Sequence, residues 1–235
     1  MLFHLVLGVF GITAAALLAG TANAAIFEDF EDTNVTYTTN VPEFTDGAGD
    51  FFTRTDGSNI GAFYDNISGV QGSGWFAVMD IDGDQAVEPV IQTFTGNITG
   101  LTGLELSILI GEEDDTGNED WDSGDFVHID YQIDGGGYQN LLWIENDGAT
   151  FNSAPLIDTN FDGTGDGAEI TNVLTEFIAP IAGTGNTLDL RITYQLDSGD
   201  EDISIDNVSV TGVPEPTSLA LLGLGGLLIA RRRRG

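Results

Sequence analysis

The residues best spaced for chemistry lie in one twelve-residue stretch, Asp158-Thr159-Asn160-Phe161-Asp162-Gly163-Thr164-Gly165-Asp166-Gly167-Ala168-Glu169. Oxygen-bearing side chains fall at its positions 1, 3, 5, 9 and 12, Thr164 at position 7 can add its carbonyl, and Gly163 stands where such a loop turns sharply. A hard cation such as Ca²⁺ takes about six to eight oxygens at roughly 2.4 Å, and alternate carboxylates on a short loop wrap around one point. The expectation is a structural Ca²⁺ on Asp158, Asn160, Asp162, Thr164, Asp166 and Glu169. The alternative is a polar Asp/Gly turn that holds no metal.

The other acidic groupings match no defined metal spacing. Glu112, Glu113, Asp114, Asp115, Glu119, Asp120, Asp122 and Asp125 crowd one connection between two expected strands, and Asp80, Asp82 and Asp84 form a weaker set. Such density is repulsive unless a cation relieves it, and the other reading is a solvated loop. Catalysis finds little support, and the expectation is that the protein is not an enzyme. His128 alternates onto the same strand face as Asp130 and Gln132, a wet surface rather than a base in a triad, and no pair of carboxylates is singled out for glycoside hydrolysis. Three tryptophans could stack on sugar rings. Trp143, between Leu142 and Ile144, suits the core or a sheet face, whereas Trp121 in the acidic connection is the better sugar-contact candidate. Arg54 and Arg191 are expected in internal ion pairs.

These groups need a scaffold, and the rest of the sequence says which kind. Between residues 25 and 212 no long stretch has helical spacing, while short β-branched and aromatic runs are separated by Gly, Asp and Asn. Strands are predicted over 51–55, 75–81, 90–98, 104–110, 126–133, 139–145, 188–196 and 203–210. Leu188, Leu190, Ile192 and Tyr194 alternate with Asp189, Arg191, Thr193 and Gln195, as do Val127, Ile129, Tyr131 and Ile133 with their polar neighbours, so one face of each strand is buried. Asp134-Gly135-Gly136-Gly137 supplies the positive φ angles of a tight turn, which pairs 126–133 with 139–145. The fold class expected is an all-β antiparallel sandwich, jelly-roll-like.

Charge narrows the partners. Of 38 acidic residues only Glu215 lies beyond 212 and none precedes 25, so residues 25–212 carry 37 carboxylates against Arg54 and Arg191, a formal charge of 2 − 37 = −35. A phosphate backbone would be repelled, which excludes nucleic acid as a partner. There are no cysteines, hence no disulfides. Packing, screening ions and bound cations must hold the fold.

The two ends read as export signals. Residues 1–24 form an expected signal peptide, with a helical apolar run from Leu2 to Leu18 and small residues Ala22 and Ala24 before a signal-peptidase cut after Ala24, although the start lacks Lys and Arg. At Val213-Pro214-Glu215-Pro216 the composition changes. Two prolines oppose regular pairing, Ser218 to Ala230 is apolar or small, and Arg231 to Arg234 follow. That helix is shorter than the roughly 20 residues of a comfortable span, but it can cross with snorkelling arginines, which would keep the C-terminus in the cytoplasm.

Taken together, Pro214-Glu215-Pro216, the Leu- and Gly-rich segment and the arginine cluster resemble the PEP-CTERM sorting signal of Gram-negative bacteria. The resemblance assigns residues 213–235 to sorting and leaves 25–212 as the acidic domain. It implies an inner-membrane-anchored precursor whose Pro214-Glu215-Pro216 motif is recognised by an exosortase, with release or attachment at the cell surface and a frequent association with extracellular polysaccharide. A plain membrane anchor would keep the topology without the processing.

The loop 158–169, on a β scaffold without an entering helix, resembles the calcium loops of dockerins and thrombospondin repeats. The stretches around 126–136 and 183–191, leading to Ile205-Asp206-Asn207-Val208, resemble jelly-roll modules of large secreted bacterial proteins. Glu28 and Glu31 in Phe27-Glu28-Asp29-Phe30-Glu31, with Asp206 near the end, are similar to the first- and last-strand carboxylates with which carbohydrate-binding jelly rolls hold a structural calcium. The resemblance thus implies a possible second metal site at Glu28, Glu31 and Asp206. The function expected is a calcium-stabilised, non-catalytic surface or matrix module, with a carbohydrate-binding module as the alternative and a secreted hydrolase further off.

Overall fold

The computed structural model describes residues 21–62, 66–82, 89–113, 121–149 and 153–215. The predicted signal segment as far as residue 20, Pro216, the apolar segment Ser218 to Ala230, the arginines 231–234, and Asp84, Asp114, Asp115, Glu119 and Asp120 lie outside the described residues. One compact unit runs from Ala22 to Glu215, where the sequence placed the domain at 25–212.

Among the described residues thirteen strands build it: β1 (Asn23–Glu28), β2 (Tyr37–Thr39), β3 (Phe44–Thr45), β4 (Phe51–Thr55), β5 (Trp75–Met79), β6 (Val90–Asn97), β7 (Leu101–Gly111), β8 (Phe126–Ile133), β9 (Gln139–Glu145), β10 (Leu156–Asp158), β11 (Thr175–Ile181), β12 (Thr187–Gln195) and β13 (Asp202–Pro214). Every paired strand is antiparallel. Sheet A has the order β11-β7-β13-β5-β4-β3, with β1 also on β13, and sheet B has the order β10-β9-β8-β12-β6-β2. From β5 to β8, and again from β11 to β13, the chain alternates between the sheets, which gives a two-layer sandwich of jelly-roll character.

The period-2 pattern decides which face is buried. Leu188, Leu190, Ile192 and Tyr194 of β12 and Val127, Ile129 and Tyr131 of β8 turn inward to meet Leu104, Leu106, Ile108, Ile203 and Ile205 of sheet A. An aromatic group of Phe30, Tyr37, Phe52, Phe76, Phe94 and Tyr194 fills one region, with Phe52 and Phe76 edge-on at 4.8 Å. The buried Tyr194 hydroxyl donates to Gln92 Oε1 at 2.8 Å.

Two features of β13 matter later. It pairs with β5 over 202–205 and with β1 from Val208 onward, and the change of partner coincides with a bulge at Asn207, whose φ is 48°. Its far end corrects the expectation that Pro214 stops regular pairing. Val213 and Pro214 remain in register with Thr102 and Leu101 of β7, and the Glu215 N–H donates to the Gly100 carbonyl at 2.8 Å. Proline is tolerated there because β1 ends opposite Gly212, so among the described residues this end of β13 is paired on one side only.

Candidate functional site

The β8–β9 hairpin forms as its turn predicts, with Asp134, Gly135 and Gly137 at positive φ, and its register brings the outward side chains of sheet B into rows. One row crosses four strands, with Thr193 opposite His128, His128 opposite Trp143, and Trp143 opposite Asp158. The His128 ring stacks on Trp143 at 3.7 Å and 8°, Phe126 stacks on the other side of His128 at 4.1 Å, and Phe161 meets Trp143 edge-on at 5.5 Å. Polar groups fix the orientation of these rings. His128 Nε2 bonds Glu145, Trp143 Nε1 donates to Asp130 at 3.0 Å, and Asp130 receives Arg191 at 2.7 Å. Arg191 lies 3.7 Å over the ring of Tyr138, which is 37% exposed. Beside them Gln132 and Thr95 both donate to Asp189.

Trp143 therefore lies on a sheet face, as one of its two expected positions allowed. Trp121 does not suit the role expected of it: it is fully buried, held by a bridge to Ser153, and joins the core. A sugar cannot reach it. His128 is on the outward face with Asp130 and Gln132 as expected, and both arginines are paired, Arg54 with Glu43 at 3.2 Å and Arg191 with Asp130.

The predicted calcium loop adjoins this row directly, because Asp158 is both its first position and the cross-strand neighbour of Trp143. The Asp158 carboxylate, 1% exposed, accepts the backbone N–H groups of Asn160, Phe161 and Gly163. Gly163 takes a φ of 84°, the turn its position requires, and Phe161 is held at 61°, a conformation costly for an aromatic residue. Asp166 accepts the Thr159 N–H and hydroxyl and the Asn160 amide, and these bonds to Thr159 lower its pKa. Asn160, Asp162 and Glu169 are exposed, and Thr164 is half-buried. The loop is thus folded around Asp158, while no three of its carboxylates bring oxygens within 4.8 Å of one another.

The second set of predicted ligands is brought to one region by the pairing of β1 with β13, and each carboxylate secures a loop. Glu28 accepts Phe30 N–H and the N–H and hydroxyl of Thr36, Glu31 accepts Ser73 and Gly74, and the fully buried Asp206 at the bulge accepts Gln71 and Asn207. The three do not form a set with oxygens within 4.8 Å.

Burial raises several carboxyl pKa values. Asp206 is pushed up to about 6 by desolvation, against the N–H groups of Gln71 and Asn207 and with the charges of Glu31 and Asp29 adding to the rise. Desolvation takes Asp202 to about 7, against its bond from Glu113 N–H and with the charges of Glu113 and Asp200 adding to it. Asp80 reaches about 6 through desolvation and the neighbouring Asp50 and Asp82. Asp125 and Glu201 are also raised, by desolvation first.

Comparison with known proteins bears on the tail first. Residues 212–234 match the model of the PEP-CTERM protein-sorting motif. The chain carries that motif, which implies an exported protein processed by an exosortase, with a C-terminal membrane anchor before processing. No curated protein matches the chain. Among solved structures, a cyclase from Fischerella sp. TAU aligns over 83% of this chain and 99% of its own at 14% identity and a TM-score of 0.48. The K3 cleaved adhesin domain of Lys-gingipain from Porphyromonas gingivalis aligns over 81% and 100% at 11% and 0.40. The CBM22-1 xylan-binding domain from Paenibacillus barcinonensis aligns over 85% and 99% at 9% and 0.39. The architecture described above rests on this chain's own strand pairing.

A pH dependence follows for protein stripped of divalent ions with EDTA. Asp80, Asp202 and Asp206 hold their protons more tightly folded than unfolded, so the native state binds more protons between about pH 4 and about pH 7, and stability falls as pH rises through that window. The unfolding midpoint is expected to be higher at about pH 5 than at about pH 8. A midpoint that is flat or rises over that range would mean these groups ionise folded as easily as unfolded.

Proposed function

We propose that this exported protein is a non-catalytic surface module whose outer sheet B face binds extracellular polysaccharide, and whose fold and loop 158–169 are stabilised by Ca²⁺. The observation that carries the reading is the row Phe126–His128–Trp143–Phe161 beside the Arg191–Asp130 pair. It joins the rings of Phe126, Trp143 and Phe161, packed around the His128 imidazole, to oriented hydrogen-bonding groups on an outward face, a mixture of apolar surface and fixed polar groups of the kind that binds small ligands. Its one histidine is stacked between rings and bonded to Glu145, with no hydroxyl or thiol nucleophile among its bonded partners, which favours binding over turnover. Calcium is supported by the loop's oxygen spacing and by Asp158, a buried carboxylate whose bonded partners are neutral backbone groups.

Retardation in gels cast with the producing cells' own extracellular polysaccharide tests the face. W143A, which removes the central ring, is expected to lose about 1–3 kcal/mol of binding, a weakening of about fivefold to 150-fold, while keeping its fold. Unchanged retardation would remove this face from binding.

Calcium at the loop has its own test. D158N/D162N removes two anionic ligands and keeps the shape of the side chains. Metal binding only to the folded state stabilises it by about 2.7 kcal/mol at a hundredfold excess over Kd, and the double variant is expected to lose that loop's share of the calcium-induced rise in midpoint. A response equal to that of the parent would place the cation elsewhere.

A further inference from the structure

At one end of the sandwich, the turn entering β8 and the turn entering β13 lie together because Phe126 of β8 and Gln195 of β12 are cross-strand partners. Asp125 is the residue just before β8 and Glu201 the residue just before β13, and both are buried, at 2% and 1% exposure. With Asp122 they form the one set of three or more Asp, Glu or His side chains, among the described residues, whose ligand atoms all lie within 4.8 Å of one another. That separation is no more than two Ca–O bonds of about 2.4 Å laid end to end.

The turns are folded to aim these groups. Asp122 N–H donates to Asp125 Oδ2, Gly124 N–H donates to Asp122 Oδ1 at 3.0 Å, and the N–H groups of Asp197 and Ser198 both donate to Glu201 Oε2, at 2.7 and 2.8 Å. Those bonds use one oxygen of each carboxylate. Asp125 Oδ1 is buried with no hydrogen-bond partner among the described residues, and its carboxyl lies against that of Glu201, which has a hydrogen to give only when protonated. Among the described residues no side-chain cation serves the cluster. Residues 25–212 contain two arginines, engaged with Glu43 and Asp130, and no lysine, and their one histidine bonds Glu145. Asp197 and Asp82 add negative charge nearby.

We propose that Asp122, Asp125 and Glu201 form a site for a hard divalent cation, Ca²⁺ in kind, which ties the turn entering β8 to the turn entering β13. The all-oxygen donor set favours Ca²⁺, Mg²⁺ or Mn²⁺ over Zn²⁺ or copper, and two deeply buried carboxylates suit an ion that sheds water readily and tolerates irregular geometry, which Ca²⁺ does and Mg²⁺ does not. The site is separate from loop 158–169 and does not depend on that loop binding metal.

Terbium luminescence distinguishes the two places, since Trp121 adjoins Asp122 whereas Trp143 adjoins Asp158. In full-length W143F protein stripped with EDTA, Tb³⁺ is expected to give tryptophan-sensitised emission that Ca²⁺ displaces. D125N/E201Q, whose amide oxygens can still accept the turn N–H groups, is expected to lose that emission, and D158N/D162N to keep it. D125N/E201Q should also unfold at a higher temperature than the parent in EDTA, because a buried repulsion is gone, and should gain less from Ca²⁺. If the double variant does not fold, D122N, altered on the half-buried side of the site, is expected to bind Tb³⁺ at least tenfold more weakly. Emission that none of these cluster substitutions changes, or no binding at all, would overturn the site and leave a shared proton between Asp125 and Glu201.

Discussion

Charge neutralisation inside an almost entirely anionic domain is the constraint on which the rest of the structure depends. With 37 carboxylates and two arginines between residues 25 and 212, buried acids have almost no side-chain cations to meet. They meet backbone N–H groups instead. The buried Glu28, Asp158, Glu201 and Asp206 each accept at least two, as do the exposed Glu31 and Asp134, from a turn or loop beside a strand end. Oriented amides stabilise a carboxylate without cancelling its charge. The connections are therefore shaped as acceptor cradles, and the charge still present in them is what a divalent ion can neutralise.

This arrangement also links stability to the outer face of sheet B. Asp158 holds its loop in the conformation that lays Phe161 against Trp143, and Trp143 is in turn fixed by Asp130 and stacked on His128. Loss of order in loop 158–169 would first release Phe161, at the edge of the proposed binding surface. A cation at that loop would thus pre-organise a ligand face rather than take part in any reaction, and pre-organisation strengthens binding by lowering the entropy lost on association.

Much of the scaffold was legible in the sequence because alternation is a strong signal where one face is buried. The strands expected at 51–55, 126–133 and 139–145 have the observed bounds, and those near 90, 188 and 203 differ by a few residues. The strands that went unseen lacked that signal. β2, β3 and β10 are two or three residues long, β1 overlaps the end of the expected signal segment, and β11 carries an outward Ile178 and Pro180 that blur its period. The site was harder to read. An acidic neighbourhood suggested that Trp121 is exposed, but Glu112, Glu113 and Asp125 are themselves buried there. The place of Trp143 between Leu142 and Ile144 left its face open until the register with β8, shifted after Ile129, set it opposite His128. The meeting of Asp125 with Glu201 depends on strands that start 76 residues apart in sequence (202 − 126) and has no local pattern.

The central claim is that bound cations, rather than diffuse screening, supply the charge this fold lacks. It is tested most directly by thermal unfolding of the EDTA-treated full-length protein at about pH 8, where the raised carboxyl groups tend to ionise, in CaCl₂ and in NaCl at matched ionic strength. Specific binding predicts a midpoint in calcium well above that in sodium, and saturating with concentration. Equal midpoints in the two salts would contradict the account, because the charge would then be met by screening alone.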